Sequence, residues 1–307
     1  MSVDFHVAIA GLIVGFTVGL TGMGGGALMT PILVLLFKVQ PLAAVSSDLV
    51  AAFVMKPVGA AVHFRRGTVN RSLVGWLAAG SVPAAFAGVL LLRSFGNGDA
   101  VQQRLKWALG LALLLAVSTM IVKAFLEVRA RAARRLAPTA HVAAKARSDV
   151  RIRPLPTVAI GALGGLMVGM TSVGSGSLII VLLLLVYPSL KASELVGTDL
   201  VQAIPLVGAA ALGHILFGEF QLGLTTSLLV GALPGVYLGA RVSAQAPSGL
   251  IRRSLALILA ASGLKLLGLE TGQLGLFLLV AAITGPLVWR YVRATGGFRP
   301  AFERSGV

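Results

Sequence analysis

The sequence contains no cysteine, which excludes disulfide bonds, thiolate metal sites and cysteine nucleophiles. Two catalytic motifs are absent as well. The motif GxxxxGK[ST], which binds the phosphates of ATP, does not occur, so ATP hydrolysis by this chain has no support. The motif HExxH does not occur either, which removes the zinc proteases that use it. We expect neither a cofactor nor a metal.

Charged residues are also scarce, at 12% of 307 positions, against roughly 25% in a soluble domain. Hydrophobic residues make up 57% and the mean hydropathy is +0.93. Several apolar runs reach or approach the roughly 20 residues that a membrane span requires. No Lys or Arg precedes the first run, so we interpret it as a membrane element and not as a cleavable signal peptide. The composition predicts an all-α polytopic membrane protein.

Acidic residues are the rarer charge, with 10 Asp and Glu against 26 Lys and Arg, and the net charge is +16. The basic residues lie at the ends of apolar runs and in one polar stretch, 127–154. This placement is typical of a topology signal and argues against nucleic-acid binding. The stretch 127–154 either contacts anionic lipid head groups or is a solvated loop.

The second half of the chain repeats the first. Five residues recur 150 positions later, namely Gly19, Thr21, Gly24, Gly26 and Leu28. Five more recur 151 positions later, namely Asp48, His63, Gly67, Gly80 and Pro83. We predict a first membrane repeat of about five helical elements at 1–126, a basic cytoplasmic linker at 127–154, a second repeat at 155–268, and a terminal helix and cytoplasmic tail at 269–307.

An odd number of elements makes the two repeats point in opposite directions. If the loops alternate between two sides, one side collects nineteen Lys and Arg and the other collects five. The rich side is cytoplasmic by the positive-inside rule, which places the N-terminus outside and the C-terminus inside. The sequence therefore predicts two inverted-topology repeats, an arrangement common in secondary transporters.

A glycine-rich break interrupts the apolar residues early in each repeat. GLTGMGGGALMTP starts at Gly19, and GMTSVGSGSLIIV starts at Gly169. The apolar segment 27–37 that follows the first break has a helical length of about 16 Å, against a hydrocarbon core of about 30 Å. We predict two Gly-rich hairpins that meet near mid-membrane, either re-entrant or crossing as broken helices.

Helices that begin at these glycines direct free N–H groups and the positive end of the helix dipole inward, which favours an anion. The alternative is close helix packing, for which small residues also serve. The candidate substrate-binding residues are Thr21, Gly22, Gly24, Gly25, Gly26, Lys56, Thr171, Ser172, Gly174, Ser175, Gly176, Ser177 and Gln202.

Three ionisable residues lie inside the third element of a repeat. Asp48 and Asp199 occupy equivalent positions, and each either couples transport to protons or holds a glycine turn by hydrogen bonds. Lys56, whose counterpart is Val207, either attracts the anion or pairs with Asp48. His63 and His214 lie toward segment ends, where we favour interfacial packing over a proton relay.

At the motifs TGMGGG, TSVGSG, SSDL, VGTDL, AVHFRRGTVN and GHILFGEFQ, the chain resembles the TauE/SafE family of sulfite exporters over about residues 8–268. The resemblance implies a multi-pass transporter of the bacterial inner membrane, acting on sulfite or an organosulfonate such as sulfoacetate. Proton or ion coupling and alternating access are expected. The alternatives are a passive anion channel and an intramembrane lipid-phosphate enzyme, which the absence of a deep Arg disfavours.

Overall fold

The computed structural model describes residues 4–21, 25–65, 67–94, 98–136, 152–188, 190, 192–242 and 248–295. This part of the chain forms eleven helices and no strand. They are α1 (Phe5–Thr21), α2 (Gly26–Leu35), α3 (Pro41–Arg65), α4 (Arg71–Ser94), α5 (Asp99–Leu136), α6 (Pro154–Thr171), α7 (Leu178–Val186), α8 (Ala192–Phe217), α9 (Leu222–Val242), α10 (Ser248–Leu266) and α11 (Thr271–Thr295).

Several helices have the length and composition of membrane spans, which confirms the predicted class. Within the described residues, five stretches are long and apolar enough to cross: Arg71–Ser94, Asp99–Leu126, Pro154–Thr171, Glu194–Phe217 and Leu222–Gly239. Helix α3 has 25 residues but carries Asp48 and Lys56 in its interior. The chain is a polytopic all-α membrane protein.

Helices α2 and α7 are short, with 10 and 9 residues. At 1.5 Å per residue each is about 15 Å long, so neither spans the hydrocarbon core alone. The backbone before α7 has a positive φ at Ser172 (59°), Gly174 (127°) and Gly176 (92°), a region that glycine enters without steric cost. We call residues 172–177 the second glycine turn.

The first helix of each half packs along the fourth helix of the other half. Helix α1 lies against α9, and α6 lies against α4. Glycines permit this approach, because a Cβ atom at Gly231 would collide with the carbonyl of Ala8, and one at Gly80 with that of Val158. These two contacts are equivalent under the repeat offsets of 150 and 151. The first helix of each half is therefore packed into the other half of the bundle.

The equivalent helices α3 and α8 contact each other in opposite directions. Ser46, near the start of α3, meets His214, near the end of α8. Further along α3, the ring of Phe53 lies against Gly208, which is earlier on α8. The two chain directions are therefore antiparallel where these helices touch.

Helix α5 continues beyond its apolar stretch. The sequence predicts a linker from 127, but the structure keeps residues 127–136 helical. These residues read EVRARAARRL and contain strong helix formers, so local propensity continues the helix after the apolar stretch ends. The remainder of the predicted linker, 137–151, lies outside the described residues.

Candidate functional site

The start of α2 and the second glycine turn lie in direct contact. A Cβ atom at Gly26 would collide with the carbonyl oxygen and the hydroxyl of Ser172. Gly26 is buried, and the absence of a side chain is what lets the two segments touch. Close packing, the alternative interpretation of these glycines, therefore applies to Gly26.

Asp48 connects three segments at this contact. Its Oδ2 atom accepts a hydrogen bond from Thr30 Oγ1 on α2 at 2.9 Å and another from Ser172 Oγ in the second glycine turn at 2.8 Å. The residue is completely buried in α3. Its second carboxylate oxygen, Oδ1, is also buried and has no hydrogen-bond partner within the described part of the chain.

Lys56 reaches the same turn from two helical turns further along α3. Its Nζ atom donates a hydrogen bond to Ser175 Oγ at 3.0 Å. It lies within electrostatic range of both Asp199 and Asp48. Val207, its counterpart in α8, is buried and apolar, so the described halves differ in charge at this position.

Asp199 faces the second glycine turn from α8. Its carboxylate lies near the backbone N–H of Gly176. The side-chain amide of Gln202 donates to its Oδ1 atom at 3.2 Å. Gln202 in turn accepts from Ser81 Oγ on α4 at 3.2 Å, so the carboxylate is held by a chain of hydrogen bonds that crosses between the halves.

Neither short helix has a side-chain cap at its N-terminus. The N-cap residues are Gly25 for α2 and Ser177 for α7, and neither residue caps its helix through a side chain. Uncapped N–H groups carry the positive end of the helix dipole. Two such ends, the Lys56 ammonium and several hydroxyls are therefore arranged around one contact between the halves.

Other predicted site residues have local roles or lie elsewhere. Thr171 bonds within its own segment, donating to the carbonyl of Met167 at 2.7 Å and accepting from Val173 N–H at 3.2 Å. Gly174 and Ser177 are buried in the second glycine turn. Thr21 ends α1, but its side chain lies outside the described residues, as do Gly22, Gly24 and the side chain of His63.

Two polar residues of this network were not predicted from the sequence, Thr30 and Ser81. Both are completely buried. Thr30 is a polar residue in the apolar run GALMTPILVL, four positions after Gly26. Because a lone hydroxyl in a membrane helix also bonds to its own backbone, the isolated position alone did not identify its partner.

His214 is completely buried between three helices. Its Nε2 atom lies 2.8 Å from the carbonyl oxygen of Gly169 on α6. Because a carbonyl only accepts, Nε2 carries the hydrogen, and Nδ1 accepts from Ser46 Oγ at 2.8 Å. Both ring nitrogens are satisfied, which supports the packing role.

A small cavity of about 40 Å³ lies beside His214. Arg93 and Phe217 also line it, with the guanidinium carbon 5.0 Å from the centre of the phenyl ring. The remaining lining is mostly aliphatic. Ser46, which is hydrogen-bonded to His214, stands two residues before Asp48 on α3.

The comparison with protein families decides the class of this chain. The model of the family described as sulfite exporter TauE/SafE matches residues 7–266. The chain belongs to the sulfite exporter TauE/SafE family. This confirms the resemblance to the family, and it makes the chain a multi-pass membrane transporter and not an enzyme.

Relatives in this family carry names of the same kind. The probable membrane transporter protein YjnA of Bacillus subtilis (strain 168) is 38% identical over 263 residues, covering 85% of this chain and 98% of the relative. The probable membrane transporter protein YdhB of the same organism is 25% identical over 260 residues, covering 83% and 96%. No solved structure matches the chain.

Proposed function

We propose that this protein is a secondary transporter that moves a small sulfur-containing anion, sulfite or an organosulfonate such as sulfoacetate, across the bacterial inner membrane. The observation that carries the proposal is the hydrogen bond from Lys56 to Ser175, which places a cation at the contact between the halves. The family name supplies the sulfur-containing class.

An anion fits this site for two physical reasons. The ammonium of Lys56 is one of only two Lys or Arg side chains that the sequence places inside an apolar segment, and a half-buried charge inside a membrane segment is typical of a functional site. The uncapped N-termini of α2 and α7 each add a positive partial charge of about one half. An oxyanion has several acceptor oxygens, which match N–H and hydroxyl donors that converge from different directions.

Alternating access is the proposed mode of movement, with 1–126 and 155–268 as the two repeats. Asp48 and Lys56 of the first repeat hold the second glycine turn through Ser172 and Ser175. A rocking motion of one repeat against the other breaks these contacts and opens the site to the opposite side. The antiparallel contact of α3 with α8 supports opposite insertion of the repeats, with the N-terminus outside and the C-terminus inside.

Uptake into proteoliposomes tests the proposal. The panel is sulfite, thiosulfate, sulfoacetate, taurine, sulfate and acetate, each with and without a pH gradient. Saturable, gradient-dependent uptake of one sulfur anion is the expected result. Flux that does not saturate identifies a channel, and no binding or flux for any member, with folded protein in the vesicles, rejects the anion-transport proposal.

Lys56→Gln is the variant that connects the flux to the site. We expect it to lose uptake of the transported anion. Lys38→Gln is the matched control, because Lys38 is exposed after the end of α2. Equal losses in both variants would separate the transport activity from the proposed site.

A further inference from the structure

We infer that Asp48 is the site of the coupling proton, so that binding of a monovalent anion is accompanied by uptake of one proton from solution. This inference rests on the proposed anion transport and names the residue that links it to a proton gradient.

The charges around the site are unbalanced at Asp48. Among the described residues, no Lys, Arg or His nitrogen lies within ion-pair distance of the Asp48 carboxylate. Lys56, two helical turns further along α3, donates its hydrogen bond to Ser175 Oγ instead. An uncompensated buried charge is costly, and a proton removes that cost at Asp48.

The hydrogen-bond partners of Asp48 and Asp199 also differ, and the difference favours protonation of Asp48. Asp199 accepts on Oδ1 from the side-chain NH2 of Gln202, a group that only donates and so favours a charged carboxylate. Asp48 accepts from the hydroxyls of Thr30 and Ser172, both on Oδ2. A proton on the free Oδ1 atom of Asp48 therefore leaves both of its hydrogen bonds in place, whereas a proton on Asp199 Oδ1 would displace the amide N–H of Gln202.

Asp48 also has an atom available for the proton. Its Oδ1 atom is buried and has no partner among the described residues, although Oδ2 has two. His214, the nearby histidine on α8, is engaged with Gly169 and Ser46 through both ring nitrogens. Within the described part of this contact, the Oδ1 atom of Asp48 is a buried acceptor without a partner, and it is open to a proton.

The coupling step follows from these charges. A proton from solution joins the Asp48 carboxylate and neutralises its charge. A monovalent anion then enters against the N-termini of α2 and α7, whose partial charges amount to about one unit. When the anion leaves, the proton leaves Asp48. Because Ser172 and Thr30 belong to different halves, the change at Asp48 is transmitted to both.

Calorimetry on the purified full-length protein counts the proton. The probes are sulfoacetate and methanesulfonate, whose sulfonates do not titrate near neutral pH, titrated in two buffers with different ionisation enthalpies. We expect the wild type to take up about one proton per methanesulfonate bound. Asp48→Asn should bind the probe with no proton uptake, while Asp199→Asn should bind more weakly and still take up the proton.

Infrared spectroscopy of the ligand-free protein provides a readout that needs no transported anion. We expect a pH-dependent protonated-carboxyl band in the wild type and in Asp199→Asn, and its loss in Asp48→Asn. Persistence of the band or of proton uptake in Asp48→Asn overturns the inference, as does accumulation driven by a sodium gradient alone. If no anion binds but the band behaves as expected, the transport proposal fails and the proton site stands.

Discussion

The Nζ atom of Lys56 lies 3.0 Å from the Oγ atom of Ser175, so a cation of the first half holds the glycine turn of the second half. The equivalent turn of the first half has Gly25 where the second has Ser175, and Val207 stands where the second half would have a lysine. The first half therefore holds the glycine turn of the second half through a lysine, and the second half has no equivalent lysine. The two halves are alike in packing and different in chemistry.

Removal of the Lys56 charge should weaken anion binding more than removal of its hydrogen-bond partner. A hydrogen bond to a charged group contributes about 1.5 to 3 kcal/mol, so Lys56→Gln should raise the Kd of the transported anion about 10-fold to 100-fold. Ser175→Ala keeps the ammonium and should raise it less than about 10-fold. Calorimetric titration of both variants measures the order, and the reverse order would contradict a direct role for Lys56.

Gly26 should not tolerate even a methyl group. Gly26→Ala places a Cβ atom against the carbonyl of Ser172, and overpacking of this kind costs about 1 to 3 kcal/mol. We expect a lower thermal unfolding midpoint in detergent and loss of transport. Gly75→Ala is the matched control, since a Cβ atom at Gly75 on α4 meets open space. An unchanged midpoint for Gly26→Ala would refute the close contact between the segments.

His214 should contribute stability through both ring nitrogens. His214→Ala leaves the Ser46 hydroxyl and the Gly169 carbonyl without their partner, and an unsatisfied buried group costs about 1 to 3 kcal/mol. His214→Gln retains an amide that donates to Gly169. Thermal unfolding should therefore rank the wild type above His214→Gln, and His214→Gln above His214→Ala. Equal midpoints for the two variants would show that neither hydrogen bond contributes.

Arg93 should assist the anion from the side on which its cavity opens. Arg93→Gln removes the guanidinium beside that cavity, and we expect the KM for anion presented on that side to rise several-fold, the effect of an exposed charge. Arg71→Gln is the control, because Arg71 is at the other end of α4 and packs over Phe64 in the same way. Uptake into vesicles of known orientation measures both. Equal effects of the two variants would remove the cavity from the route of the anion.

The short helices were predictable from the sequence, while the hydrogen-bond network was only partly so. Apolar length is a local pattern, and it predicted a short segment at 27–37 where the structure has α2 at Gly26–Leu35. The partners of Asp48 depend on tertiary packing, since Ser172 is 124 positions away. The pattern of polar residues in the sequence identified Asp48 as a candidate site residue, but it did not predict that the hydroxyls of Thr30 and Ser172 are its partners.

The sequence also did not predict that helix α5 continues beyond residue 126, and the reason is different from that for the hydrogen-bond network. The change from apolar to basic residues at 127 predicts where a membrane segment ends, and the helix continues because its backbone hydrogen bonds do not depend on that change. Hydropathy reports the environment of a segment, and helix propensity reports its conformation. The end of the apolar stretch and the end of the helix coincide only where a turn residue stops the helix.

The packing of α1 against α9 has a consequence for biosynthesis. Helix α1 leaves the ribosome well before Leu222–Val242, the helix against which its glycine-lined face packs. Until α9 has been synthesised, α1 lies in the lipid without its packing partner. A chain truncated before α9 should therefore insert into the membrane and still be recognised by quality-control proteases as incomplete.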